Sequence, residues 1–189
     1  MRKATVSLVV FVLLLGGLYA QSWTYDVEVY SGDRTSSLTL TLGADPRASD
    51  CFDAGFDVPA MPPIPGGVRF FFVAPCTTGF PAGFDPYLTT DIRNSTVGEH
   101  YYIIRVEFDY TSSPRMVVWD HTAIPTDVEM AQIGARNVGS FDIPTWTDMS
   151  TVDTFYFMPH QEVVIRIRQH GAVDHFPPSV ISMYPADGA

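Results

Sequence analysis

Short segments with an apolar residue at every second position recur along almost the whole chain, and a two-residue period is that of a half-buried β-strand. Trp23, Tyr25, Val27 and Val29 alternate with Thr24, Asp26 and Glu28. After a Ser31-Gly32-Asp33 turn, Leu38, Leu40 and Leu42 alternate with Thr39 and Thr41. Tyr102, Ile104, Val106, Phe108 and Tyr110 form one face of a longer strand, with Arg105, Glu107 and Asp109 on the other. Near the end, Val163, Ile165 and Ile167 face inward while Arg166 and Arg168 face outward. Shorter strands are predicted at Val68–Val73, Met116–Trp119, Val128–Ile133, Ser140–Ile143 and Thr154–Met158. Only Val128–Ala135 also reads as a helix, and Gly134 makes it a short one. The 14 glycines and 15 prolines fit a chain of strands and turns. Eight or nine short strands predict an all-β fold, a sandwich of two antiparallel sheets.

The first 20 residues stand apart from this pattern. Arg2 and Lys3 precede an apolar run from Val6 to Leu18, and Ala20 offers a small residue for cleavage before Gln21. A membrane span needs about 20 apolar residues, so this run is read as a signal peptide, 1–20, with an uncleaved anchor as the alternative. Export to a secreted or cell-surface location follows as an expectation, and the mature chain is expected to leave the membrane. Cleavage removes two of the 11 basic residues and leaves nine arginines against 21 acidic residues, a net charge of −12 with no lysine. Such a chain is repelled by nucleic acid and by anionic lipid, and neither is expected as a partner. Residues 21–173 suffice for one domain with a sizeable core.

Two cysteines in an exported chain are read as a pair. A Cys51–Cys76 disulfide closes a Pro- and Gly-rich loop and stabilises the fold by about 3–4 kcal/mol in the chain-entropy model. Free thiols or a metal pair are the alternatives, and no C-x-x-C spacing supports metal. The carboxylates Asp45, Asp50, Asp53 and Asp57 cluster in sequence on either side of Cys51. Closely spaced aspartates with backbone carbonyls can supply the oxygen ligands of Ca2+. Their spacing is not that of an EF-hand, and the alternative is an acidic loop whose aspartates cap turns.

No catalytic pattern emerges: there is no G-x-S-x-G elbow, no H-E-x-x-H and no phosphate-cradling glycine loop. The five histidines, His100, His121, His160, His170 and His175, fall in separate segments and read as surface residues. The chain is therefore expected not to be an enzyme. Glycans stack on exposed aromatic faces, and Trp146, Tyr87 and Phe84 lie near predicted loops, although core packing is the competing reading for each. Trp119 shares its strand face with Val117 and is assigned to the core.

The stretch from Leu40 to Val68, LTLGADPRASDCFDAGFDVPAMPPIPGGV, resembles an N-terminal element of Ig-like β-sandwich modules in secreted bacterial surface proteins. Asp45, Ala48, Asp50, Phe52, Asp53, Gly55, Asp57 and the prolines to Pro63 carry the resemblance. The pattern usually has Gly at the position of Cys51. Weaker likenesses follow in order at 88–93, at Trp119-Asp120 with Ile124-Pro125, and at Asp148-Met149 leading into Thr154–Phe157. Residues 174–189, with Pro177-Pro178 and then Tyr184-Pro185-Ala186-Asp187-Gly188-Ala189, are similar to the opening of a second bacterial Ig-like domain. This segment is read as the linker and first strand of a truncated domain, or as a remnant that packs on the sandwich. The resemblance implies an Ig-like or fibronectin-like sandwich working as a structural spacer beside other domains or other surface proteins. Two alternatives stand beside it: a carbohydrate- or protein-binding module, and an extracellular subunit that self-assembles through its terminal strand.

Overall fold

The computed structural model describes residues 22–96 and 98–170. The expected signal peptide and the 174–189 segment lie outside the described residues. Eleven strands form one hydrogen-bonded sheet. They are β1 (Trp23–Tyr30), β2 (Ser37–Asp45), β3 (Val58–Pro59), β4 (Arg69–Val73), β5 (Tyr87–Asn94) and β6 (Glu99–Glu107). The second half adds β7 (Arg115–Val118), β8 (Val128–Asn137), β9 (Thr147–Asp148), β10 (Thr154–Phe157) and β11 (Gln161–Gln169). The order across the sheet is β10-β7-β1-β2-β5-β4-β6-β11-β8-β9, with β3 added on β5. Among the described pairings only β2–β5 is parallel, Thr41 to Asp45 lying beside Thr90 to Asn94. The fold is thus all-β, but its strands form one mixed, curled sheet of half-barrel form.

The curl brings the two arms face to face over one core. Trp23, Tyr25, Val27 and Val29 of β1 and Leu40 and Leu42 of β2 join Tyr102, Ile104 and Val106 of β6 in a single buried cluster. Val163, Ile165 and Ile167 of β11 complete it, with Ala131 and Ile133 of β8. Burying a large apolar side chain contributes about 1.5–3 kcal/mol, so this cluster is the main stabilising element. The inward alternation expected for β1 and β11 is present; in β2 it holds for Leu40 and Leu42, while Leu38 is exposed. Trp119 is buried as expected, and its indole N–H donates to the Met149 carbonyl at 2.9 Å.

Three expectations need correction, and one is borne out in extended form. Ser140–Ile143 forms no strand, and Phe141 and Ile143 are exposed. The strand expected at Val128–Ile133 is present as the first part of β8, paired with β11 along its length, and the helical alternative is not realised. The long strand expected to reach Tyr110 ends at Glu107. His100 is buried at 3% exposure, not on the surface. Strand β5 adds a finding: its polar sequence, YLTTDIRN, hides a central strand because Asp91 and Arg93 are buried as a pair.

The expected disulfide is present, joining Cys51 and Cys76 with Cα atoms 5.3 Å apart. It ties the acidic loop before β3 to the loop after β4. Phe52 and Phe80 pack beside it with ring centroids 4.7 Å apart.

Candidate functional site: an apolar cleft beyond the end of β6

Inward positions of β6 are even-numbered: His100, Tyr102, Ile104 and Val106. Continued alternation would turn Phe108 inward. Phe108 instead adopts a left-handed backbone at φ 59°, a conformation that costs a bulky L-residue roughly 1–2 kcal/mol. The parity therefore flips. Asp109 turns inward and is buried, while Phe108 and Tyr110 on either side turn out, 43% and 88% exposed.

Asp109 holds this arrangement in place. Its carboxylate accepts from the Gly32 amide at 2.9 Å, from the Thr111 amide and hydroxyl at 3.1 and 2.8 Å, and from Arg115 Nε at 3.0 Å. Arg115 Nη1 donates to the Pro159 carbonyl and Nη2 to that of Asp109. Burial alone would push the Asp109 carboxyl up, but these donors hold it down at about 2.

The facing wall comes from the proline-rich loop between β3 and β4. Ile64-Pro65-Gly66-Gly67 is a turn closed by the Gly67 amide on the Ile64 carbonyl at 2.8 Å. Gly66 has φ 79°, the left-handed position that glycine fills after proline in a type II turn. This turn presents Ile64, 77% exposed, beside Phe108 and Tyr110. The cleft of about 290 Å³ between them is lined by Pro63, Ile64, Pro65, Gly66, Phe108 and Tyr110. None of these side chains is charged. Glu107 stands next to the cleft in sequence and, with Asp85, lies against Arg69 at 3.8 and 2.9 Å. Exposed Asp33 lies in the turn whose Gly32 binds Asp109.

The four aspartates proposed from sequence are placed differently. Asp45 is fixed by Arg47 and the Ser22 hydroxyl, and its hydrogen bonds from Arg47 hold its carboxyl well below the usual range. It borders a second opening of about 340 Å³, together with Thr24, Phe56 and Thr90. Asp57 is buried and accepts from the backbone amides of Asp53 and Ile92, both at 2.8 Å. Burial nevertheless raises its carboxyl to about 6. Asp53 caps a turn by accepting from the Gly55 amide, and exposed Asp50 accepts from that of Asn94 at 3.4 Å. The turn-capping role expected as the alternative is thus visible at Asp53. Among the described residues, no three His, Cys, Asp or Glu side chains gather closely enough to hold a metal ion.

The three candidate aromatics fall in separate settings. Tyr87, half-buried on β5, stacks on Phe71 with centroids 4.0 Å apart, and Arg69 lies over both rings. Half-buried Phe84 belongs to the turn before β5. Trp146, also half-buried, packs near Tyr101, and the Arg166 guanidinium lies 5.8 and 5.9 Å from the two ring centroids. Glu99 holds Arg166 by a hydrogen bond. The cleft residues Ile64, Phe108 and Tyr110 carry no such motif. The one local hint is Asp109-Tyr110-Thr111, an Asx-turn spacing that marks a chain reversal where alternation predicts strand. No family model, curated protein or solved structure matches this chain.

Proposed function

We propose that this chain is a non-catalytic module of a secreted or cell-surface bacterial protein, Ig-like in its face-to-face arms, and that it docks an extended protein segment in the cleft beyond β6. The observation that carries the reading is Phe108. A bulky aromatic is held in a left-handed conformation and half in solvent beside Tyr110 and Ile64, and backbone strain of this kind is concentrated at functional sites. Exposed apolar patches on a soluble domain mark interaction surfaces. Prolines facing aromatics suit an extended ligand, whose apolar side chains would enter the cleft. The chain's net charge of −10 favours a ligand carrying Lys or Arg beside its apolar anchors.

The test is binding of the full chain to immobilised synthetic peptides with Pro, Ile and Leu anchors, flanked by Lys in one set and by Glu in the other. The expected result is retention of the Lys-flanked set, weakened at least tenfold in an Ile64→Asp/Tyr110→Asp variant that still unfolds cooperatively. Equal retention by the variant, or no retention by either protein, would overturn the reading.

A second reading has its own support in Trp146. Trp146 and Tyr101 lie on the outer face of the β6–β11–β8 arm beside Glu99 and Gln132, groups that suit a sugar ring and its hydroxyls. Glycan-array binding abolished by Trp146→Ala but untouched by Tyr110→Asp would move the function there.

A further inference from the structure

At one end of the core, polar side chains take over the inward positions. Strand β5 supplies Asp91 and Arg93, and Ser95 follows in the turn after it. Strand β6 supplies His100, and β11 supplies Gln169. All five are less than a tenth exposed. The register brings them together. Ile167 lies opposite His100, and the Gln169 amide donates to the Gly98 carbonyl at 3.3 Å, so Gln169 and His100 are diagonal neighbours on one face. The His100 ring bonds the carbonyl of Asn94, next to Ser95.

Two members of this group are fully occupied. Arg93 Nη2 donates to Asp91 at 2.7 Å, Nη1 donates to the Tyr101 carbonyl at 2.8 Å, and the guanidinium covers the Tyr102 ring at 4.4 Å. The other three each keep a buried polar atom without a partner: Ser95 Oγ, His100 Nε2 and Gln169 Nε2. Buried polar atoms in folded proteins are almost always bonded, so three unpartnered ones just after β5, at the start of β6 and at the end of β11 need a common explanation. Trp23 Nε1 and Arg69 Nε are also unpartnered, but each stands on a different element.

The three atoms differ in what they require. Burial, with the Arg93 charge adding to it, lowers the His100 imidazole to about 4, so it is neutral at pH 7. Its bond to the Asn94 carbonyl takes the Nδ1 proton, which leaves Nε2 an acceptor. The Gln169 amide nitrogen is a donor, and the Ser95 hydroxyl can be either. A single partner must therefore donate to one atom and accept from another. A cation meets the Gln169 donor and the Arg93 charge; an anion meets His100 as an acceptor.

We infer that Ser95, His100 and Gln169 form a binding site for one buried water molecule. It donates to His100 Nε2, accepts from the Gln169 amide and makes its third bond to the Ser95 hydroxyl, the usual valence of an internal water. The water joins the ends of β5, β6 and β11 where the apolar core stops.

The test counts long-lived internal waters in the full chain by oxygen-17 magnetic relaxation dispersion. Ser95→Ala, which changes packing little, and His100→Phe/Gln169→Leu, which removes two partners, are compared with the unaltered protein. The expected result is one fewer long-lived water in the double variant and faster exchange of that water in Ser95→Ala. A crystal structure of the unaltered protein at atomic resolution keeps the inference testable if the double variant fails to fold. It is expected to show water within hydrogen-bond distance of all three atoms. An unchanged water count in a folded double variant, or unchanged exchange of that water in Ser95→Ala, would overturn the inference. So would direct pairing among the three side chains, or a chain segment or ion in the water's place.

Discussion

Asp109 and Arg115 meet at 3.0 Å with their side chains 1% and 4% exposed, and this pair sets which residues of the β6–β7 connection face solvent. The Asp109 carboxylate also holds Gly32, so one buried ion pair fastens two turns at the end of the sheet that carries the cleft.

Removing one partner of a buried pair leaves the other charge uncompensated and costs about 3–5 kcal/mol. Asp109→Ala is therefore expected to lower the melting temperature by about 10 °C, at roughly 2–4 °C per kcal/mol for a domain of this size. Thermal unfolding by circular dichroism checks this. A loss within a degree or two would show that the pair does not anchor the turn. In the unaltered protein the Asp109 carboxyl lies below its ordinary value, so its contribution is complete above about pH 4 and is lost as pH falls towards 2.

Two buried groups are expected to pull stability in opposite directions between pH 6.5 and 4. His100, lowered to about 4, binds its proton more readily unfolded, so its contribution declines as pH falls from about 6.5. Asp57, raised to about 6, binds its proton more readily folded, so its contribution grows as pH falls from about 6 towards 4. Unfolding free energies of Asp57→Asn should thus fall more steeply with acid than those of the unaltered chain. In His100→Gln they should rise. Identical pH profiles for all three proteins would refute both assignments.

The Cys51–Cys76 bond closes a loop across a sequence separation of 25, and its loss is expected to cost about 3 kcal/mol. Denaturant titration of Cys51→Ala/Cys76→Ala measures the difference. The unaltered protein should gain the mass of two hydrogens on reduction and show no reactive thiol before it.

Phe108→Gly separates stability from docking. Glycine occupies the left-handed region without strain, so the melting temperature should stay within a few degrees, the loss of one half-exposed ring being offset. Retention of Lys-flanked apolar peptides should nevertheless fall, because one wall of the cleft is gone. Retained binding would place the ligand elsewhere.

The sequence made some of these elements legible and concealed others, for physical reasons. Strand β1 buries one clean face, and its alternation reads directly; in β11 the inward face of Val163, Ile165 and Ile167 reads as well, although Glu162 and Val164 on the other face are also buried. Alternation also runs unbroken through Phe108 and Tyr110, yet the structure departs from it because the bonds to Asp109 outweigh the strain at Phe108. Two of those bonds come from the local Thr111, but the others come from Gly32 and Arg115, and no periodicity in one segment reveals partners in two others. Strand β5 was concealed because an Asp91–Arg93 pair imitates a solvated surface. Conversely, Ser140–Ile143 has the alternation of a strand but does not pair. His100 shares the even parity of Tyr102 and Ile104, and that parity was the available sign of its burial.

Strand β11 is inserted between β6 and β8, bonded to both along most of its length. It is also the last described strand in chain order. A growing chain that has passed residue 150 already contains β6 and β8, but each still shows a bare row of amides and carbonyls towards the gap. Translation interrupted before residue 160 thus yields two sticky edges and an open core rather than a smaller stable protein. The order of synthesis makes folding close late, and any factor that shields the emerging chain must stay on until Gln169 has passed.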